Sequence, residues 1–247
     1  MHMTTGGLHL LSGLVLASFI RNEKYKKAKW GLIWGSIIPD IDLFASVVAF
    51  LITQDFTAGE FFHRSYTHGF FAMGLILLIG LIASRTREDR KWLSMFTFAF
   101  VFGMLTHVFY DLLDGYVAIL APFSFERYSI TGFDFQTALG DTYMKVWNAW
   151  DAMSDVIFFL TLWFWSTHKT GIAHEQKFAK MLLILSIIFI GYFGALMIVA
   201  FTEISVDMHF ILIYLVWIPL SLPLSSVIAH VKMKETIQEF SFLDLKK

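Results

Sequence analysis

Three short clusters of histidine and aspartate interrupt an otherwise apolar sequence. The first is Ile38-Pro39-Asp40-Ile41-Asp42, where Pro39 removes one helical hydrogen bond and predicts a break in the helix. At such a break Asp40 and Asp42 can point toward one site, although a spacing of two would separate them on a continuous helix. Carboxylates inside an apolar segment are rare unless they face a cavity or a partner. The alternative is a helix end at a membrane surface with two solvated acids.

The second cluster is His63-Arg64-Ser65-Tyr66-Thr67-His68. Its two histidines are five residues apart, so they would diverge on a continuous helix. If Thr67 is the N-cap of the next helix, His63 lies in the loop and His68 in the first turn, and the two side chains can converge. The alternative is a pair of interfacial histidines that bind no ion.

The third cluster is Thr106-His107-Val108-Phe109-Tyr110-Asp111. A spacing of four places His107 and Asp111 on one helix face. That pair offers an imidazole and a carboxylate to one ion, as nitrogen and oxygen metal sites require, although a local hydrogen bond between them explains the spacing equally well. His9, near the start of the first apolar segment, is a weaker signal with the same ambiguity.

The composition places these clusters in a membrane protein. Of 247 residues, 57% are hydrophobic and 16% charged, whereas soluble domains have about 45–50% and about 25%. Charge is sparse and balanced, which excludes a nucleic-acid partner and a disordered chain. Because the chain has no cysteine, any metal ligands must be histidines and carboxylates. We therefore predict an all-α, polytopic helical membrane protein.

Apolar stretches long enough to cross a bilayer predict about seven transmembrane helices. They cover residues 8–20, 30–53, 69–84, 92–121, 151–167, 178–201 and 209–229. Sixteen of the 19 lysines and arginines fall in loops or in the tail that seven spans place on one face. The excess of basic residues on the cytoplasmic side then predicts an outer N-terminus and a cytoplasmic C-terminus. The expected location is a bacterial or archaeal cytoplasmic membrane.

This topology brings the three clusters to one depth. Asp40 and Asp42 lie about 15 Å into the second span, at mid to outer depth, and the histidines approach from the outer side. Four histidines and three aspartates would then share one pocket open to the outer face: His9, Asp40, Asp42, His63, His68, His107 and Asp111. A single zinc ion uses three or four ligands, so two or more ions are possible, and manganese is not excluded. Shared carboxylates could hold two metals about 3.5–4 Å apart, a geometry suited to hydrolysis.

The order of these motifs resembles the YdjM-like membrane-bound metal-dependent hydrolase family, which is similar to the zinc-dependent phospholipase C group. The segment 114–124 also looks like the family's Gly-Val-x-Leu-Leu-x-Pro-Phe-Ser segment. The resemblance covers residues 5–125, the half of a single domain (1–247) that carries the motifs; residues 126–247 are predicted as a loop plus three helices. It implies that the seven residues above are metal ligands, that Arg64 orients the site or binds a substrate anion, and that Thr67 supports the adjacent histidine.

Three further acids are candidates for catalysis. Asp114 stands where the family commonly has threonine and adds negative charge near the site. Asp151 and Asp155, four residues apart at the start of the fifth predicted span, could complete the site or position the attacking water. The alternative for these two is interfacial acids that favour a helix N-terminus.

We therefore expect a hydrolase that cleaves a phosphoester of a membrane lipid or another amphiphile with metal-activated water. Two alternatives remain. A cation or proton transporter would use the intramembrane acids and histidines as a path. A non-catalytic membrane scaffold would use the metal only for stability.

Overall fold

The computed structural model describes residues 6–22, 25–86, 88–132, 135–170, 173–213, 217, 224–225 and 227–241. Within these ranges the regular elements are helices, which confirms the all-α fold, and Val117 and Tyr128 form one isolated β-bridge. The α-helices are α1 (Gly6–Ser18), α2 (Lys26–Gly35), α3 (Asp42–Thr53), α4 (Phe56–Phe62), α5 (Phe70–Arg85), α6 (Lys91–Asp114), α7 (Phe135–Ser154), α8 (Val156–Trp165), α9 (Ala173–Val199), α10 (Val206–Leu212) and α11 (Lys234–Glu239).

The chain folds as two compact units. We call Ser12–Phe133 with Ser241–Lys247 the motif unit, and Met1–Leu11 with Asp134–Phe240 the C-terminal unit.

Glycines bring α2 and α6 of the motif unit into close contact. A Cβ added at Gly31 or Gly35 would collide with the backbone of α6, at Phe96 and Phe100, and one added at Gly103 would collide with the backbone of α2. Small residues let two apolar helices approach at backbone distance. The end of α2 therefore lies directly beside the part of α6 that carries His107.

The helix breaks where Pro39 predicts it. A tight 3₁₀ turn, Ile38–Ile41, separates α2 from α3, and the two halves are bent by 47°. Asp40 lies in this turn and Asp42 begins α3, and both are buried.

The loop after α6 folds back over the segment that holds the second cluster. The N–H of Ala118 donates to the carbonyl of Arg64 (3.0 Å), and the N–H of Phe70 donates to the carbonyl of Ile119 (2.9 Å). Gly69 permits this approach, because a Cβ there would meet the carbonyl oxygen of Ala121. Backbone hydrogen bonds thus fix a segment that is mostly not helical.

The C-terminal unit is built around α7, α8 and α9. A break at Gly140 (φ 72°) interrupts α7, and α7 ends at Ser154 just before α8. The rings of Phe193 and Trp217 pack edge to face with centroids 4.8 Å apart, and both side chains are fully buried. This core is apolar and aromatic.

Fewer helices are long and apolar enough to cross a membrane than the seven that hydropathy alone predicts. Among the described residues two qualify, Lys91–Leu113 and Ala173–Val199, and the bent pair α2–α3 makes a third if it is one span. The prediction of seven was wrong by this criterion because helix breaks divide the apolar stretches. α1 has 13 residues and spans about 20 Å of a hydrocarbon core about 30 Å thick. The stretch 151–167 is divided beside Asp155, and much of 209–229, with Pro219 and Pro223, lies outside the described residues.

Candidate metal centre

Four side chains from three separate segments of the motif unit meet at one buried point. Asp40 comes from the turn at Pro39, His68 from a short 3₁₀ turn (Tyr66–His68), and His107 and Asp111 from α6. Each is at most 1% exposed. The four residues offer ligand atoms that all lie within 4.8 Å of one another.

The spacing of these atoms fits a single metal ion. Nε2 of His68 lies 3.2 Å from Nε2 of His107 and 3.1 Å from Oδ2 of Asp111, and that oxygen is 3.2 Å from Nε2 of His107. Oδ1 of Asp40 is 3.3 Å from Nε2 of His107 and 3.8 Å from Nε2 of His68. An ion about 2.0–2.2 Å from four atoms at the corners of a tetrahedron separates them by about 3.3–3.6 Å. The residues present therefore fit a tetrahedral divalent ion with two nitrogen and two oxygen ligands.

Hydrogen bonds at the far side of each ring point both Nε2 atoms inward. Nδ1 of His107 donates to the carbonyl of Ser36 (2.8 Å), an interaction that depends on the close packing of α2 and α6. Nδ1 of His68 donates to Oδ2 of Asp42 (3.0 Å). Ligating histidines commonly donate their other ring N–H to a carbonyl or carboxylate in this way. Both rings are thus held in the orientation that a metal ligand requires. The sequence gives no direct sign of the contact with the Ser36 carbonyl.

Asp42 supports the cluster from outside it. Besides His68, its carboxylate contacts Nδ1 of His63 (Oδ1, 3.2 Å) and the hydroxyl of Thr67 (Oδ2, 2.7 Å). The Thr67 hydroxyl also lies 2.7 Å from the carbonyl of Pro39. The prediction that Thr67 caps the next helix was wrong, because Gly69 is the N-cap of α5. Thr67 instead ties the second cluster to the first.

Arg64 reaches the same centre from a strained backbone. Its φ is +58°, in the left-handed region, which costs a residue other than glycine about 1–3 kcal/mol. Nη2 lies 3.0 Å from Oδ1 of Asp111, and both side chains are buried. Gly115 leaves room for the guanidinium, since a Cβ there would collide with Nη1. Nη2 of Arg127 donates to the carbonyl of His63 (3.3 Å), which fixes the backbone immediately before Arg64.

The charges of the site favour a cation. Burial opposes protonation of His68, but the nearby carboxylates of Asp42 and Asp111 outweigh it, so the pKa of His68 is raised from 6.5. The same carboxylates that raise this pKa would also attract a divalent ion.

The four residues of the candidate metal centre all lie within the part of the chain that matches one known protein family. The family model described as YdjM inner membrane protein matches residues 3–202. The chain belongs to the YdjM family of inner membrane proteins. Family membership and the apolar helices make it a membrane protein. No curated protein and no solved structure matches the chain.

Of the seven predicted ligands in this YdjM family chain, the structure brings four together. Asp42 and His63 lie next to the four and contact each other, and Asp42 also accepts a hydrogen bond from His68; the roles of Asp42 and His63 as ligands stay predictions. The i, i+4 pairing of His107 and Asp111 is confirmed. His9 is buried in the C-terminal unit, and its role as a ligand stays a prediction.

Two of the three predicted catalytic acids belong to the C-terminal unit, and the side chain of the third is outside the part of the chain that the structure describes. Asp151 and Asp155 belong to the C-terminal unit. Asp155 accepts hydrogen bonds from the N–H of Leu8 (3.0 Å) and from Nε1 of Trp217 (2.9 Å), so it joins three distant segments of that unit. Their role in catalysis stays a prediction. The side chain of Asp114 is not among those described.

A second group of acids and histidine, His174, Glu175 and Glu235, lies in the C-terminal unit. Glu175 is buried and already accepts hydrogen bonds from the N–H groups of Glu235 (2.9 Å) and Thr236 (2.8 Å) and from the Thr236 hydroxyl. Its carboxylate thus anchors the start of α11, and the group is explained without an ion.

Proposed function

We propose that this YdjM family chain is a metal-dependent hydrolase that cleaves a phosphoester of a lipid or another amphiphile. The observation that carries the proposal is the set of four buried ligand atoms from Asp40, His68, His107 and Asp111. Zinc accepts these donor types at this spacing, and manganese accepts the same carboxylates. The prediction of a second ion stays a prediction.

The side chains around the four ligands suit hydrolysis. A divalent ion supplies Lewis acidity and lowers the pKa of a water molecule that reaches it. Asp42 holds His68 with Nε2 toward the ion position, and Arg64 pairs with one oxygen of Asp111 while the other faces the histidines. Arg64 thereby orients a ligand and adds positive charge where a phosphoryl oxygen would gain negative charge.

We also infer that the centre faces the outer side of the membrane. Asp111 is near the C-terminal end of the candidate span Lys91–Leu113, whereas Arg85, Arg90 and Lys91 lie at the other end. Basic residues favour the cytoplasmic end of a span. The cluster then lies at the outer end, close to lipid headgroups.

A metal-stabilised membrane scaffold is a second candidate, and one observation favours it. Structural zinc sites are closed by four protein ligands, whereas catalytic sites keep one position for water or substrate. Here four protein ligands converge and all are buried. Hydrolysis requires that one ligand, such as a carboxylate, yields its position or that coordination expands to five.

The test begins with metal content per chain, measured by plasma mass spectrometry on the full chain purified in detergent. We expect about one equivalent of a divalent metal and its loss in the double variant His68→Ala, His107→Ala. His168→Ala, which changes an exposed histidine in the C-terminal unit, is the matched control and should keep the metal.

Turnover separates the two candidates. Metal-dependent release of phosphate or headgroup from phospholipid micelles that disappears in Asp40→Asn supports the hydrolase. Bound metal that raises the melting temperature without turnover on any ester supports the scaffold. A wild-type chain that stays metal-free after zinc reconstitution overturns both proposals.

A further inference from the structure

A polar cavity of the motif unit lies at the basic end of α6. It has a volume of about 550 Å³ and is lined by Leu81, Ser84, Arg85, Glu88, Lys91 and Ser94. This volume is within the range of roughly 300–1,000 Å³ that small-ligand sites have. Lys91 begins α6 and His107 follows 16 residues later, which is about 24 Å at 1.5 Å per residue. The cavity is therefore separate from the candidate metal centre.

The cavity lies where two apolar helices meet their connecting turn. α5 ends at Arg85, a 3₁₀ turn covers Glu88–Arg90, and α6 starts at Lys91. From Lys91 onward, α6 qualifies as a membrane span. Trp92 follows directly and is 41% exposed, and tryptophan is typical of the interface between membrane and water. The cavity therefore lies at about the depth of lipid headgroups.

Basic residues surround the cavity, although the whole chain has a net charge of −1. Residues 21–29 contain five lysines and arginines and one acid, and residues 85–91 contain four and two. The two segments meet at this end of the motif unit, because Nζ of Lys27 lies 4.2 Å from the centre of the Trp92 ring. Arg85 and Lys91 line the cavity itself. The charge around the cavity thus favours an anion.

The other polar side chains that line the cavity already have partners. The hydroxyls of Ser84 and Ser94 donate to the carbonyls of Leu81 (2.8 Å) and Lys91 (2.9 Å). Oε2 of Glu88 lies 2.5 Å from Nζ of Lys91, and both side chains are largely exposed. An exposed ion pair of this kind is weak, so a second anion can compete for the ammonium group. The groups that would hold an anion are therefore the two cations.

The face of α5 that leads away from Arg85 is apolar and exposed. Leu78, Leu81, Ile82 and Arg85 are spaced by three or four residues, so they lie on one face of the helix. Leu78 and Ile82 are each 56% exposed. An anion that is bound at Arg85 and carries alkyl chains would place those chains along this face. A free phosphate ion would gain nothing from it.

We propose that this cavity binds the phosphodiester headgroup of an anionic phospholipid. Arg85 and Lys91 contact the phosphate, and the acyl chains lie along the apolar face of α5 that contains Leu78 and Ile82. Basic pockets between membrane helices bind anionic headgroups in this way. The proposal requires neither a bound metal nor turnover, so its test does not depend on the proposed function.

The experiment uses the full chain in a non-ionic detergent. Native mass spectrometry counts the lipid molecules that stay bound, and titrations with phosphatidylglycerol and with phosphatidylcholine give the two affinities. We expect phosphatidylglycerol to bind more tightly. Arg85→Gln should lower its affinity about fivefold, the effect of removing one basic residue near a lipid headgroup.

Lys177→Gln is the matched control for Arg85→Gln. Lys177 is an exposed basic residue near the start of the candidate span Ala173–Val199, but it does not line the cavity. The same loss of charge at Lys177 should leave the affinity for phosphatidylglycerol unchanged. The comparison thus separates a defined site from the general attraction of basic helix ends for anionic lipid.

Glu88→Gln should have the opposite effect. Removing this carboxylate frees Lys91 for the phosphate, so the affinity for phosphatidylglycerol should rise. The side chains of Arg85, Glu88 and Lys177 are all exposed, so each variant should fold, and its melting temperature in detergent checks this.

Four results would overturn the proposal. The first three are equal affinities for the two lipids, equal affinities of Arg85→Gln and Lys177→Gln for phosphatidylglycerol, and an affinity that Glu88→Gln leaves unchanged or lowers. The fourth is displacement of phosphatidylglycerol by inorganic phosphate at the same concentration, which would make a soluble phosphate the ligand.

Discussion

The guanidinium of Arg64 lies 3.0 Å from Oδ1 of Asp111, while Oδ2 of the same carboxylate faces the two histidines of the candidate metal centre. One aspartate therefore serves the arginine and the ion position at once. A buried carboxylate without a partner would be costly, and Arg64 supplies a partner whether or not an ion is bound.

Replacing Arg64 by methionine should strongly destabilise the chain. Removing one member of a buried ion pair costs about 3–5 kcal/mol, because the other charge is left buried. Lys91→Met is the control, since its pair with Glu88 is largely exposed and such pairs contribute at most about 1 kcal/mol. Thermal unfolding in detergent measures both. Equal melting temperatures for the two variants would contradict the role given to Arg64.

Gly115→Ala should displace Arg64 without changing any charge. The added methyl group would collide with Nη1, so we expect reduced metal content and a lower melting temperature. Gly74→Ala, inside α5, is the matched control because nothing lies within 4 Å of its added Cβ. It should stabilise the chain by about 0.5–1 kcal/mol, since alanine is the better helix former. If Gly115→Ala binds metal like the wild type, the guanidinium does not need that space.

Asp42→Asn should weaken metal binding while leaving all four ligands in place. Loss of the carboxylate that holds the ring of a ligating histidine lowers metal affinity about 10–100-fold. Asp55→Asn, on the exposed turn between α3 and α4, should not change the affinity. Competition with a chelator of known affinity gives the measurement. A loss of binding as complete as that of His68→Ala would instead make Asp42 a ligand.

Stability should depend on pH in opposite ways with and without metal. The pKa of His68 is raised from 6.5, so the protonated ring stabilises the metal-free chain below about pH 6.5, and this contribution is lost as the pH rises through the raised pKa. An ion competes with that proton, so metal affinity should rise with pH, about tenfold per unit for each proton released. The prediction is tested by measuring the melting temperatures of metal-free and zinc-loaded protein at pH values below and above 6.5. A metal-free chain that gains stability with rising pH would contradict it.

Single cysteines can test the proposed orientation, because the chain has none of its own. Glu126 lies in the exposed loop after α6, and Arg85 lies at the basic end of α5, so each can be replaced by cysteine. A membrane-impermeant maleimide should label Glu126→Cys in intact cells and Arg85→Cys only after permeabilisation. The reverse pattern would place the centre on the cytoplasmic side.

Residue spacing in the sequence was enough to predict local geometry, but it could not predict contacts between segments that are far apart along the chain. The pairing of His107 with Asp111 follows from helical periodicity, and the break at Pro39 from the missing N–H. Spacing could not distinguish Asp40 from Asp42, because only the turn at Pro39 decides which carboxylate meets His107 of α6. The pairing of Arg64 with Asp111 also depends on the loop after α6, which no periodic pattern describes.

The predicted number of membrane spans was wrong for a related reason. Hydropathy measures how apolar a stretch is, but helix continuity depends on local breaks such as the one beside Asp155. That carboxylate accepts hydrogen bonds from Leu8 and Trp217, so an acid inside an apolar stretch here has a structural role that composition does not reveal.

The four ligands come from segments far apart along the chain, and His68 and His107 alone are 39 residues apart. An ion held by all of them closes loops in the chain and reduces the conformational entropy of its unfolded state, in the way that a covalent cross-link does. A chain without cysteine cannot obtain this effect from a disulfide. The metal would then serve as the reversible cross-link of the motif unit, present only after its three segments have come together.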